Sequence, residues 1–279
     1  SMIRVGMDKP QISKVLKCSL KLHKKEVKVG EDKVYLGCYC KLKIIYLGDD
    51  PKELVSLEDD VYLSKEEEIS EVISDMIPSV VYSIRNSDLA VEDDDLGETR
   101  IINVEFLVGA NIKVFSNEYI DVIKDAYSPN FPIELIRDKY EIGVLLGSQT
   151  IENIVKDSIY LGEGDIKPER ILSSAGNTII IDKKLYDDKV FVEGLLKVNV
   201  IYKSLGENLG YGEISGDIPF SMVLDMAGVK EGMKAITKTT LESLETNIEA
   251  NTIAVKANVA LSAKVFYEVN KEFISDAIE

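Results

Sequence analysis

The chain is predicted to be mainly β, with two homologous β-sandwich-like domains, long antiparallel strands and few short helices. Three observations predict this: a duplicated block, apolar runs with a period of two, and turn residues between the runs. Glu26–Tyr46 (EVKVGEDKVYLGCYCKLKIIY) aligns without a gap on Asp182–Tyr202 (DKKLYDDKVFVEGLLKVNVIY) at an offset of 156, with seven identities in twenty-one positions. Val104–Phe115 (VEFLVGANIKVF) aligns on Val255–Phe266 (VKANVALSAKVF) at an offset of 151, and Asp125-Ala126 still matches Asp276-Ala277. A five-residue length difference between the two blocks accounts for the change of offset. A repeat this long is a duplicated domain, because solenoid units have periods of roughly 20–50 residues. Half of the 279 residues is enough chain for each copy to bury its own core. The boundary is placed near Lys139, after Ser128-Pro129-Asn130-Phe131-Pro132, which gives domains of residues 1–139 and 140–279.

The strands are read in order from their alternation. Val34, Leu36, Cys38, Cys40, Leu42, Ile44 and Tyr46 share one face of a run. Val104, Phe106, Val108, Ala110, Ile112 and Val114 share another, and Val255, Ala257, Val259, Leu261, Ala263 and Val265 repeat it. Successive side chains on a strand point to opposite faces, so each run lays one face on a core. Strands of about 7–12 residues are expected, in antiparallel sheets with one wet face. Leu47-Gly48-Asp49-Asp50-Pro51 and Ser204-Leu205-Gly206-Glu207-Asn208 read as turns. Glu92–Glu98 and Asn247–Asn251 read as hairpin tips. Ser70–Ile77 and Ser221–Met226 each fit a short helix after a strand, while Ser116–Tyr127 and Gln149–Tyr160 fit either helix or strand.

The net charge is −16, from 49 acidic and 33 basic residues. That sign argues against nucleic acid and anionic membrane as partners, since both require a cationic footprint. No run of 18 apolar residues is present, so no membrane insertion is expected. Three cysteines do not suggest a disulfide framework, and a reducing cytoplasm is expected.

Chemistry needed in both copies should appear in both, and no polar constellation is duplicated. Cys38 and Cys40 have Cys-x-Cys spacing, not the Cys-x-x-Cys of redox or zinc sites. Their counterparts are Gly194 and Leu196, and both cysteines read as small buried apolar groups. Cys18 aligns with Ser174. His23 aligns with Ile179 and reads as a solvated or half-buried strand residue. Glu92–Asp95 lacks the spacing of a calcium loop, and Glu66-Glu67-Glu68 reads as a wet turn or helix start. Gly206–Gly216 lacks the Lys-Ser/Thr of a phosphate loop and reads as a long mobile hairpin. No catalytic, cofactor-binding or metal-ligating residue is assigned, and no cofactor is expected.

Four segments of the second copy follow one another in a recognisable order. They are Leu145–Leu172 (LLGSQTIENIVKDSIYLGEGDIKPERIL), Asp188–Gly194 (DKVFVEG), Val198–Tyr202 (VNVIY) and Ile218-Pro219-Phe220-Ser221. This order resembles the SPOCS domain of spore-coat assembly proteins from endospore-forming bacteria. The first copy carries the Lys-Pro turn at Lys9–Leu16 and the Asp32-Lys33-Val34 strand. It has Gly37-Cys38 in place of Glu193-Gly194, and Ile69-Ser70-Glu71 where the Pro-Phe-Ser segment would stand.

The resemblance implies a non-catalytic structural protein acting through protein–protein contacts in the mother-cell cytoplasm, at the forespore surface and spore coat. It implies other coat morphogenetic proteins as partners, the coat-anchoring ATPase among them, and self-association. In that family a LysM region is implied in the ATPase contact, and no LysM-like segment stands in this chain, so the contact carried by that module does not transfer to it. The alternative reading is a cell-envelope glycan-binding β module, suggested by thirteen tyrosines. Ile3-Arg4-Val5-Gly6 matches Ile159–Gly162, but nothing in the first copy matches Leu145–Ser158. The chain is therefore expected to be either a fragment of a longer protein or a compact two-repeat relative that begins at Met2.

Overall fold

The computed structural model describes residues 1–205 and 210–278, and among these it contains twelve strands and no helix. The first copy comprises β1 (Met2–Arg4), β2 (Ile12–Gly30), β3 (Lys33–Gly48), β4 (Leu54–Glu68), β5 (Ile77–Asp93) and β6 (Thr99–Phe115). The second comprises β7 (Glu134–Tyr160), β8 (Pro168–Tyr186), β9 (Lys189–Ser204), β10 (Tyr211–Asp225), β11 (Lys234–Glu249) and β12 (Thr252–Ile278). The position near Lys139 lies within β7. The strands form four three-stranded antiparallel sheets, ordered β2-β3-β4, β1-β6-β5, β8-β9-β10 and β11-β12-β7. In each copy two sheets face each other across apolar side chains, which makes a sandwich.

The duplication is visible in strand register. Ile3 pairs with Ile102 as Ile159 pairs with Ile253, and Lys33 pairs with Glu68 as Lys189 pairs with Asp225. Even the irregularities repeat: the bulge between Val15 and Lys17 recurs between Ile171 and Ser173. The length difference also has a place. Eight residues separate the paired Glu92 and Ile101, against two between Glu249 and Thr252. One extra residue between Lys203 and Tyr211, relative to Leu47 and Leu54, brings the net difference to five.

The predicted apolar faces are buried where they line the middle strands. Val34, Cys40, Leu42, Ile44 and Tyr46 of β3 are buried, as are Val190, Val192, Leu196, Val200 and Tyr202 of β9. Apart from β1, the strands run to 15–27 residues, longer than expected. A bulge inserts one unpaired residue and shifts the alternation, so a long bulged strand reads as shorter pieces in sequence.

The short helices do not form. Ser221–Asp225 continues β10, with Met222 and Leu224 buried and their neighbours exposed, a period of two. Ser70–Ile77 makes turns that press Val72 onto Val34 and Leu36, and only Ile77 belongs to a strand, where it starts β5. Gln149–Tyr160 is strand within β7, held by full pairing with β12. Ser116–Tyr127 is neither helix nor strand but an exposed irregular connector. Glu66-Glu67-Glu68 ends β4 rather than forming a turn. In the Gly206–Gly216 segment, residues 211–216 belong to β10, and 206–209 lie outside the described residues.

Candidate functional site

The Asp-Lys-Val motif proves to be a structural knot, built the same way twice. Asp32 sits in the two-residue turn between β2 and β3, in the left-handed region at φ 53°, and Asp188 occupies the equivalent turn at φ 60°. Short Asp side chains tolerate that backbone better than bulky ones do. The Asp32 N–H donates to the Val72 carbonyl at 2.8 Å, and its own carbonyl accepts from Ile69 N–H at 2.9 Å. Its carboxylate accepts from Glu71 N–H at 2.8 Å. Asp188 makes the matching three bonds with Val229 (2.9 Å), Met226 (2.8 Å) and Gly228 (2.7 Å). Each knot ties the loop after the third strand of one sheet to the hairpin of the same sheet. Sequence reading took these residues for the start of a strand and missed the knot; the signal available was the same Asp before Lys-Val in both copies.

A cleft of about 360 Å³ opens where the two copies meet. Lys17, Lys21 and His23 of β2 and Lys41 and Lys43 of β3 line one side, with Ser174, Leu241 and Glu242 opposite. The Lys43 ammonium donates to the Ser174 carbonyl at 3.1 Å, and the Lys24 backbone N–H donates to Glu242 Oε2 at 2.8 Å. Lys41 and Lys43 hold Glu58 between them at 2.8 and 2.9 Å. Burial pushes the Glu58 carboxyl up, and the two ammonium groups more than offset it, so the group lies below its ordinary value. Burial lowers the Lys21 ammonium to about 8 despite nearby Glu242. His23 is buried rather than half-buried, because the chain bends at the bulge beside it and its Nε2 meets Asp60 Oδ1 at 2.9 Å. The second copy has Asn177, Ile179 and Asn199 in place of Lys21, His23 and Lys43, so this seam joins the copies instead of repeating in each.

The remaining candidates are dispersed. Cys38 and Cys40 are buried on the core face, and burial pushes Cys40 to about 11, where a thiol is inert at neutral pH. Cys18 is exposed on β2. Asp94 closes the β5–β6 tip by accepting from Leu96 N–H and Glu98 N–H at 2.9 and 3.0 Å. Among the described residues no group of three or more His, Cys, Asp or Glu is placed to hold a metal ion.

Tandem β-sandwiches with duplicated turn knots, joined by a seam of lysines, define a duplicated all-β protein. The family model described as SipL, SPOCS domain matches residues 11–92 and 167–249, and the chain belongs to that family. The two matches cover the same elements of each copy, β2 to β5 and β8 to β11. The SPOCS family is a structural one with a spore-coat-related assembly role. No curated protein and no solved structure matches the chain.

Proposed function

We propose that this protein is a non-catalytic assembly component of the bacterial spore coat, acting by protein–protein contact at the forespore surface in the mother-cell cytoplasm. Its partners on this reading are other coat morphogenetic proteins, the coat-anchoring ATPase among them, and further copies of itself. The family match over both copies carries the proposal. Two features support it. What the copies share beyond their cores is the turn knots, which hold shape, and the titratable cluster of the cleft stands only once, as a seam. The sheets also end in long edge strands, whose backbone groups can pair with a neighbouring chain.

The purified chain, used as bait in lysate from sporulating mother cells and read by mass spectrometry, tests this. Recovery of coat morphogenetic proteins above a bait-free control is expected. Recovery of none, from lysate in which those proteins are detected, would sink the reading.

A further inference from the structure

The cleft between the copies holds more positive charge than its own carboxylates answer. Lys17 and Lys21 of β2 and Lys41 and Lys43 of β3 stand on one face of their sheet and line one wall. The whole chain has a net charge of −16, so this wall runs against its composition. The carboxylates nearby are already engaged. Glu58 bridges Lys41 and Lys43, Asp60 meets His23, and Glu242 accepts from the Lys24 backbone N–H. Glu152 accepts from Asn258 Nδ2 at 2.6 Å. Among the described residues the ammonium groups of Lys17 and Lys21 make no hydrogen bond or ion pair.

This arrangement costs the fold. Lys21 stands directly opposite Lys41 in the register of β2 and β3, and Lys43 is a diagonal neighbour, opposite Ser19. Like charges directly opposite each other on a sheet destabilise it. Burial lowers the Lys21 ammonium to about 8, and Lys43, Lys41 and Lys25 add to the effect against the pull of Glu242. The second copy builds the same sheet without that cost. There Asn177 stands opposite Lys197, Ser173 takes the place of Lys17, and Asn199 takes that of Lys43. Asn199 Nδ2 donates to Ser215 Oγ at 3.0 Å where Lys43 meets Glu58, and Lys197 keeps Asp217 at 3.9 Å. The sheet therefore does not require Lys17 and Lys21. Nor does the junction, which is made by Lys43 on the Ser174 carbonyl and by the Lys24 backbone on Glu242.

We infer that the cleft is a binding site for a small polyanion, whose phosphate or carboxylate groups lie against Lys17, Lys21 and Lys41. A volume of about 360 Å³ lies at the small end of the range for small-molecule sites, so the occupant is a compact anion rather than a strand or helix. Lysine is a flexible point charge that suits phosphate and carboxylate alike. Leu241 and Leu244 on the opposite wall offer an apolar surface to the uncharged part of the ligand. A ligand here touches both copies and ties them together. The site goes beyond the assembly reading and does not rest on it.

Titration calorimetry of the full chain tests this, with inorganic pyrophosphate as the phosphate probe and citrate as the carboxylate probe. An ionic strength of about 0.1 M screens distant charges over about 10 Å. Saturable one-to-one binding of at least one probe is expected, and the one that binds tighter identifies the charged group. Lys21→Met keeps the stem and removes the charge; it should weaken binding by about tenfold or more with the circular dichroism spectrum unchanged. Lys17→Ser with Lys21→Asn, the residues of the second copy, should abolish binding. Lys230, in the turn between β10 and β11, lines no part of the cleft, and Lys230→Met should leave the affinity unchanged. Equal losses from Lys21→Met and Lys230→Met would reduce the effect to net charge and overturn the site. Absence of saturable binding of either probe at millimolar concentration overturns it too. Binding of a hexaglutamate peptide but of neither probe would assign the cleft to an acidic protein segment and equally overturn it. None of these readouts involves a coat protein, so a failed titration leaves the assembly reading standing.

Discussion

Asp188 shows how one residue of a motif becomes structure. It combines a left-handed backbone with a carboxylate bond to the loop that follows β10. Alanine at φ 60° costs about 1–2 kcal/mol for the backbone, and the lost carboxylate bond adds roughly 1. Asp188→Ala should therefore destabilise the second copy by about 2–3 kcal/mol in urea unfolding. Asn, which tolerates the same backbone and keeps an acceptor oxygen, should cost less than half of that. Lys21 makes a different kind of contribution. Its ammonium is lowered to about 8 by burial, so the folded state disfavours the charged form. The penalty is complete below the folded value and is relieved as pH rises from about 8 toward the unfolded value near 10.4. Lys21→Met should stabilise the protein by about 1 kcal/mol at pH 7, and the gain over wild type should vanish by about pH 10.5. A gain that persists at pH 10.5 would mean that Met packs better for reasons unrelated to charge. Of the three thiols, only that of Cys18 is exposed, so an aromatic disulfide reagent should titrate one thiol in the native protein and three after unfolding.

The paired middle strands show why the two copies are alike in fold yet unlike in sequence. On β3, Cys38 lies opposite Leu63; on β9, the equivalent Gly194 lies opposite Phe220. A Cβ on Gly194 would stand 2.5 Å from Phe220 Cζ and 2.6 Å from the Ile179 carbonyl. A small residue faces a large one in the second copy and the sizes are closer in the first, so each pair fills its layer in its own way. Gly194→Cys should cost about 2–3 kcal/mol, and Phe220→Leu alone somewhat less. The double variant, which carries the first copy's pair, should recover at least about 1 kcal/mol as coupling energy. Strict additivity would show that the clash with the Ile179 backbone, not the ring, decides. The same strands explain what sequence could reveal. Val34 to Tyr46 and Val190 to Tyr202 alternate without interruption, so their faces and their burial were readable. The bulge at Val15/Lys17 was not, because a bulge leaves no mark on a single sequence beyond a broken alternation. Ser221–Met226 was misread as helix because Met222, Leu224 and Met226 are strong helix formers. Pairing of Met222 with Val192 and Leu224 with Val190 overrides that propensity.

Taken together, the copies differ most in how completely each closes its core. In the second copy both sheets, β7 included, share one continuous apolar cluster, whereas the first has two clusters that follow one another along the same face of β6, one at Ile102–Val108 and one at Ile112 and Val114. Several of the contacts that join the copies are polar. Leu54 N–H donates to the Tyr211 hydroxyl at 3.0 Å, Lys43 reaches Ser174, and Glu53 sits 3.7 and 3.9 Å from Lys203 and Arg170. Contacts of this kind contribute about 1 kcal/mol or less each, too little to weld two domains into one cooperative unit. Calorimetry should therefore show two transitions, the first copy melting below the second. Ile102 and Ile253 occupy the same place in the two copies, and both are fully buried. Ile102→Ala and Ile253→Ala should each cost about 2–5 kcal/mol within its own copy. Ile102→Ala should lower only the first transition, and Ile253→Ala should draw the upper one down toward it. One transition shifted alike by both substitutions would show that the lysine seam couples the sandwiches, and the two domains would then have to be treated as one folding unit.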